Sequence, residues 1–426
     1  MRWMLQLDQS TKTLVMGSFA CGLFASTAWA DQQHYNNVIT GERAQGMGGA
    51  YAGVSDDASG VFYNPGGLAF AQSNDISGSA NAFYSKTVTY KNAISGSDWV
   101  ENSGGTFAPF FGALQKLDSV LPGLVGGFAY YTVDTQLTDQ EKTISSTGKI
   151  SRYHRAANQR ASTWVGAAAL GYRVSSSMGI GFSLGYQKVD ELTQISQNLT
   201  TTDSSRTLMS SDRISLIAHG LQAGLGLQWA PATKWSVGVM ARTGQYASQK
   251  YDRVTDAIDI QGGTASTAPS IESSNKPLGS MPLQIRAGAA YFASPKLLIT
   301  SDVDYHAAVE DTDTAIDGSP YAKESVVNFA FGSEYYVTPS VPVRFGLFTN
   351  NDATADIDTS KKGQNDHIDY TGMSLFAAWA QPNSQVSAGI VTQLGKGKAQ
   401  KIADKTDTQD VSALAYTLGF SATHSF

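Results

Sequence analysis

The sequence predicts an all-β transmembrane barrel of fourteen antiparallel strands in up-and-down order. Three observations carry the prediction: apolar residues recur with a period of two, connections alternate long and short, and the composition suits neither water nor a helical membrane span. Charged residues make up 15% of the 426, against roughly 25% in soluble domains. A mean hydropathy of -0.19 is nevertheless too polar for a bundle of membrane helices. Strands that turn one face to lipid and the other to a polar interior reconcile the two values. The net charge is -6 and the basic residues are dispersed, so no nucleic-acid partner is expected. The single cysteine, Cys21, allows neither an internal disulfide nor a thiolate metal site.

The first element is a secretory signal. Arg2 to Lys12 is a short basic stretch, Thr13 to Ser26 is apolar, and Ala28-Trp29-Ala30 places small residues where a signal peptidase reads them. The apolar stretch is about 14 residues, short of the roughly 20 that a membrane helix needs, so residues 1–30 are expected to be cleaved. Bulky Phe19 argues against acylation at Cys21. The mature chain then has no cysteine, with 28 basic and 35 acidic residues, once Arg2, Lys12 and Asp8 are removed.

From residue 74 to 426 the chain reads as the barrel. Val341, Val343, Phe345 and Leu347 share one face of a strand, while Pro342, Arg344, Gly346 and Phe348 share the other. Trp235, Val237, Val239 and Ala241 alternate in the same way with Ser236, Gly238, Met240 and Arg242. This pattern predicts strands near 75–92, 104–117, 121–136, 158–174, 177–196, 210–230, 233–250, 281–294, 296–310, 324–338, 341–353, 366–382, 384–399 and 411–426. Long connections are expected near 93–103, 137–157, 197–209, 251–280, 311–323, 354–365 and 400–410, and short turns between them. That alternation is what an up-and-down barrel has when both termini lie on the periplasmic side. The short turns are flanked by aromatics: Trp229 and Trp235, Tyr291 and Phe292, Tyr335 and Tyr336, and Trp379. Aromatic residues at strand ends make an interfacial girdle. Counting back by twos from Phe426 gives one apolar face of the last strand, interrupted only by His424.

Residues 31–73 do not alternate. From Gly41 they read GERAQGMGGAYAGVSDDASGVFYNPGGLAF. Gly46, Gly48 and Gly49 permit tight turns and close approach to a wall. Ser55 or Asp56 is placed to cap a short helix over Ala58 to Tyr63, which Pro65 would stop. A buried Arg43 would need a carboxylate, and Asp56 or Asp57 is the nearest in sequence. The glycines are not a phosphate loop, because no strand precedes them and no lysine follows.

This segment, the strand count and the terminal Phe426 together resemble the FadL-type family of outer-membrane transporters of long-chain fatty acids and hydrocarbons. The matching positions are Gly41, Arg43 and Ala44, then Asp56, Asp57 and Ala58, then Asn64 and Pro65. Glu42 between the glycine and the arginine, and Gly66 where the family has alanine, are departures. The resemblance implies that residues 31–73 form a hatch, or plug, inside the barrel. It implies a substrate that is a long-chain fatty acid or other hydrophobic small molecule, bound in the lumen against the hatch and released sideways into membrane lipid at a kink of the third strand. Gly126 and Gly127 are the expected kink. It also implies that the assembly machinery of the outer membrane reads Phe426. The protein is expected to work as a monomer in the bacterial outer membrane.

A fatty-acid carboxylate in a low-dielectric lumen calls for a fixed cation. Arg242, Arg286 and Arg344 have inward parity and are the candidates, with Arg286 preferred because Gln284, Gly288 and Phe292 share its face. The plainer reading pairs each with a luminal acid such as Asp302 or Asp304. An enzyme is not expected. Asp304 with His306, and Asp366 with His367, are adjacent acid and imidazole pairs, but no nucleophile sits in a recognisable setting. No metal spacing occurs, and no cofactor is called for. The alternatives to transport are a scaffold barrel of the same fold or a diffusion porin.

Overall fold

The structure, a computed structural model, describes residues 33–94, 96–147, 150–275, 279–310, 322–361, 364–400 and 406–426. The expected signal, with Cys21, lies outside the described residues.

Among the described residues sixteen strands form one antiparallel sheet, and fourteen of them close it into a ring. In chain order these are β1 (Asp75–Ile94), β2 (Ser97–Lys116), β3 (Leu124–Thr147), β4 (Ile150–Arg173), β5 (Met178–Thr201), β6 (Arg206–Ala232), β7 (Trp235–Gln261) and β8 (Thr264–Thr267). There follow β9 (Ser270–Ser274), β10 (Ser280–Ser294), β11 (Leu297–His306), β12 (Val326–Thr338), β13 (Val341–Asn350), β14 (His367–Gln381), β15 (Ser384–Ala399) and β16 (Gln409–Ser425). The pairing of β1 with β16 closes the ring. The short β8 and β9 fold back on β7, which pairs with β10 beyond them. Each of the fourteen strands of the ring thus has a neighbour on both sides, as a spanning sheet requires.

Burial runs inside out. Leu170, Leu184, Leu225, Phe329 and Phe420 are exposed, whereas Arg242, Arg286, Asp302, Glu334 and Arg344 are buried. An apolar outer surface this continuous belongs in lipid. The last strand exposes Leu414, Tyr416, Leu418, Phe420 and the terminal Phe426, as its parity predicts. Trp229, Trp235, Phe292, Tyr335 and Trp379 stand exposed beside the short turns and form the girdle.

Several expected long connections are strand instead. The stretches 93–103, 137–157 and 197–209 are mostly taken up by β1 to β6, and the start of 251–280 by β7, so that β3, β4 and β5 have 24 residues each and β6 and β7 have 27. About 9–11 residues suffice to span, so these strands continue well past the lipid. Beyond it both faces are wet, and the apolar-polar contrast that marks a strand disappears although the ladder continues. Thr138 to Thr143 is such a stretch, polar on both faces yet paired residue by residue with His154 to Gln159. Side chains brace the β6–β7 extension: Arg253 donates to Asp212 at 2.8 and 3.1 Å, and Arg206 to Asp259 at 2.8 and 2.9 Å.

Candidate functional site

Residues 33–73 stay out of the sheet and pack on the inner faces of the wall. Their regular pieces are short: a helix at Glu42–Gly46, another at Gly60–Tyr63, and a 3-10 helix at Pro65–Phe70. Neither Ser55 nor Asp56 caps the second helix, which begins at Gly60, later than the expected Ala58. Ser55 Oγ donates to Tyr51 O, and the Asp57 carboxylate accepts the Ser59 N–H at 2.8 Å. Pro65 does not merely stop that helix. It starts the 3-10 turn, for which the Asn64 side chain accepts the Gly66 N–H.

The segment is tied to the wall by charge and by backbone. Arg43 donates to Asp56 at 3.0 Å, within the segment, and to both oxygens of Glu334 on β12. Glu334 also accepts from Arg344 Nε at 2.7 Å, and Arg344 Nη1 donates to Glu42 at 2.8 Å. Glu42, a departure from the family pattern, therefore ends a chain of five charged groups that begins at Asp56, and it takes further hydrogen bonds from Gln385 and Thr423. Asp302 on β11 accepts the N–H groups of Tyr51 and Ala52, both at 2.9 Å. The Asn64 amide donates to Ala52 O and to Leu227 O on β6.

Above the segment lies a cavity of about 120 Å3, lined among others by Phe62, Tyr131, Val133, Arg242, Tyr246 and Met281. The strand register decides which luminal arginine is neutralised. Arg286 stands directly across from Asp304 and donates to it. Arg344 stands across from Glu334 in the same way. Arg242 stands between Gln284 and Gly224 and meets no carboxylate on either side. Its guanidinium donates to Gln284 Oε1 at 2.7 and 3.1 Å and to Tyr131 Oη at 3.1 Å, and lies 4.6 Å from the centre of the Phe62 ring. The Gln284 amide nitrogen donates to Asp304, which turns its carbonyl oxygen toward Arg242. Of the three candidate arginines only Arg242 lines the cavity, and Arg286, preferred from parity, is occupied by Asp304.

The wall beside the cavity is incompletely paired. β2 and β3 form a ladder only from Phe110–Lys116 against Val125–Tyr131. Beyond it, among the described residues, β2 pairs with β1 alone and β3 with β4 alone. Gly126 and Gly127 lie within the regular part, paired with Gln115 and Leu114 on one side and Leu170 and Ala169 on the other. The irregularity of the third strand falls at Val133, where a bulge opposite Trp164 and Thr163 moves the inward parity from Tyr131 to Asp134. The run from Phe128 to Thr135 holds no glycine or proline, so the sequence carries no mark of it. Gly127 has a different use: a Cβ there would stand 2.9 Å from both Val61 and Leu114. A second, narrower cavity bounded by Tyr84, Phe107 and Gln136 shares Asp134 with the first. Side chains cross that seam, with Gln140 donating to Val100 O at 2.5 Å.

No family model matches the sequence, and no curated protein does. Solved structures match closely in shape. The toluene transporter TodX of P. putida is 12% identical, with 92% of this chain and 99% of that one covered and a TM-score of 0.67. A FadL homologue of Pseudomonas aeruginosa is 13% identical, covering 95% and 100% with a TM-score of 0.61. The chain has the FadL-type fold. A third example, the toluene transporter TbuX of Ralstonia pickettii, is 14% identical, covering 92% and 100% with a TM-score of 0.62. At these identities it is the fold that is shared, and the FadL-type barrel leaves substrate and route to be argued from this chain's own side chains.

Proposed function

We propose that the protein is an outer-membrane channel for small hydrophobic compounds, with residues 31–73 as a hatch that closes the lumen to water-soluble solutes. The substrate enters from the side of the long strand extensions, rests in the cavity over Phe62, and leaves between β2 and β3 into the membrane. One observation carries the reading: the cavity and the unpaired seam share Asp134 and abut the Val133 bulge. An aqueous pore would be of no use to an apolar molecule, whereas a gap in the wall delivers it to lipid without exposing it to periplasmic water. Toluene transport by TodX and TbuX supports a hydrophobic cargo, and long-chain fatty acid remains within the same class. The rest of the proposal follows the sequence: export through a cleaved signal 1–30, assembly through Phe426, and action as a monomer.

Cells that make the protein are expected to take up labelled toluene several-fold faster than cells that lack it, with no gain for a small sugar. A gain for the sugar alone would identify a diffusion porin, and no gain for toluene or labelled oleate would identify a scaffold.

A further inference from the structure

The cavity holds a feature that a purely apolar cargo does not use. Arg242 is buried, yet among the described residues it forms no ion pair, whereas Arg43, Arg286 and Arg344 each have a carboxylate. A buried cation without an anion is costly, and the cost falls when a ligand supplies one. A guanidinium has five N–H donors. Nε–H and one Nη2–H go to Gln284 and one Nη1–H to Tyr131, leaving one on each terminal nitrogen. Two parallel donors are what a carboxylate accepts.

The rest of the cavity fits a ring. Phe62, Tyr131 and Tyr246 supply aromatic walls, and Met281 closes one side. The volume of about 120 Å3 is on the scale of the roughly 150 Å3 engineered cavity that takes up benzene, and too small for a long alkyl chain. Asp134 is the carboxylate on the seam side, where Asn37 donates to it at 3.0 Å. Lys323 also lines the cavity, over the Tyr35 ring at 5.1 Å; of the two cations Arg242 has the planar fork that a carboxylate fits, so the anionic end of a ligand belongs there. We propose that this site binds a single-ring aromatic carboxylate, of the size of benzoate. The inference rests on the channel reading above and narrows its cargo to an aromatic acid.

Binding of benzoate and of benzyl alcohol, its neutral counterpart, is to be measured by calorimetry on the detergent-solubilised protein. Benzoate is expected to bind at least tenfold more tightly than the alcohol. In Arg242→Gln that preference should vanish. In Arg242→Lys, which keeps the charge without the fork, an intermediate preference should remain. Equal affinities in the unaltered protein would overturn the proposal with no variant needed, and so would full preference in a folded Arg242→Gln. Displacement of benzoate by laurate at equal or lower concentration would assign the site to alkyl acids and overturn the ring. Because binding in detergent requires no transport, a failure here beside intact toluene uptake removes only the aromatic acid. Benzoate binding without uptake of any labelled compound removes the channel.

Discussion

Replacing Glu334 with Gln is expected to release the N-terminal segment from the wall while the barrel remains assembled. The Glu334 carboxylate serves two guanidiniums, the half-buried Arg43 from the segment and the buried Arg344 from β13. Glu42 remains to Arg344 and Asp56 to Arg43, but the shared anion between the two cations is lost, and they are left in mutual repulsion. Breaking a buried pair by removing one partner costs about 3–5 kcal/mol. The barrel does not bear that cost, because its closure rests on backbone ladders, and position 334 keeps its backbone place in them between Leu298 and Arg344. Limited proteolysis should therefore cut between residues 33 and 73 in Glu334→Gln at concentrations that leave the unaltered protein whole. Conductance in planar bilayers should rise, and heat-modifiable migration on gels should persist. Protease resistance and conductance equal to those of the parent would mean that the ionic chain does not hold the segment.

Gly238→Val is expected to have a comparable effect by steric means. A Cβ at position 238 would stand 1.9 Å from Ala52 O and 2.7 Å from the Asn64 amide nitrogen. The wall strand β7 and the segment thus meet backbone to backbone, at the point where Asp302 and Asn64 also hold Ala52. Overpacking usually costs about 1–3 kcal/mol because side chains give way. Here the obstacle is main chain fixed by hydrogen bonds, and the larger effect is expected. Gly238→Val should show the same proteolytic signature as Glu334→Gln. Substitution of Gly262, where a Cβ meets nothing within 4 Å, should leave the segment protected, although its positive φ strains the outer turn.

The barrel was readable from the sequence because lipid on one side and a polar lumen on the other make period two the strongest signal in the chain. The same logic placed Arg242, Arg286, Arg344, Asp302 and Asp304 inward. It did not pair them, because pairing depends on the register between strands, which alternation within one strand leaves open. Asp304 opposes Arg286, while Gln284 opposes Arg242, and that difference separates an ion pair from a cation that meets only neutral partners among the described residues. Glu334 had a legible mark as a single acid of inward parity among the apolar residues of β12. The anchoring role of Gly238 had none, since its close contact is set by a turn nearly two hundred residues away in sequence. The strand extensions were hidden for the opposite reason: with water on both faces there is no contrast to read.

The sideways route is tested most directly by a removable lock across the seam. A Cβ at Gly105 on β2 would lie 3.8 Å from the Cβ of Leu137 on β3, the mean separation of about 3.8 Å found in disulfides. With the signal removed no other cysteine competes. Cells carrying Gly105→Cys with Leu137→Cys are to be assayed for labelled toluene uptake, oxidised and then reduced. Lateral exit predicts that uptake falls to the level of cells without the protein when the bridge forms, and recovers on reduction. Uptake that is the same in the fully bridged and the reduced protein would contradict it.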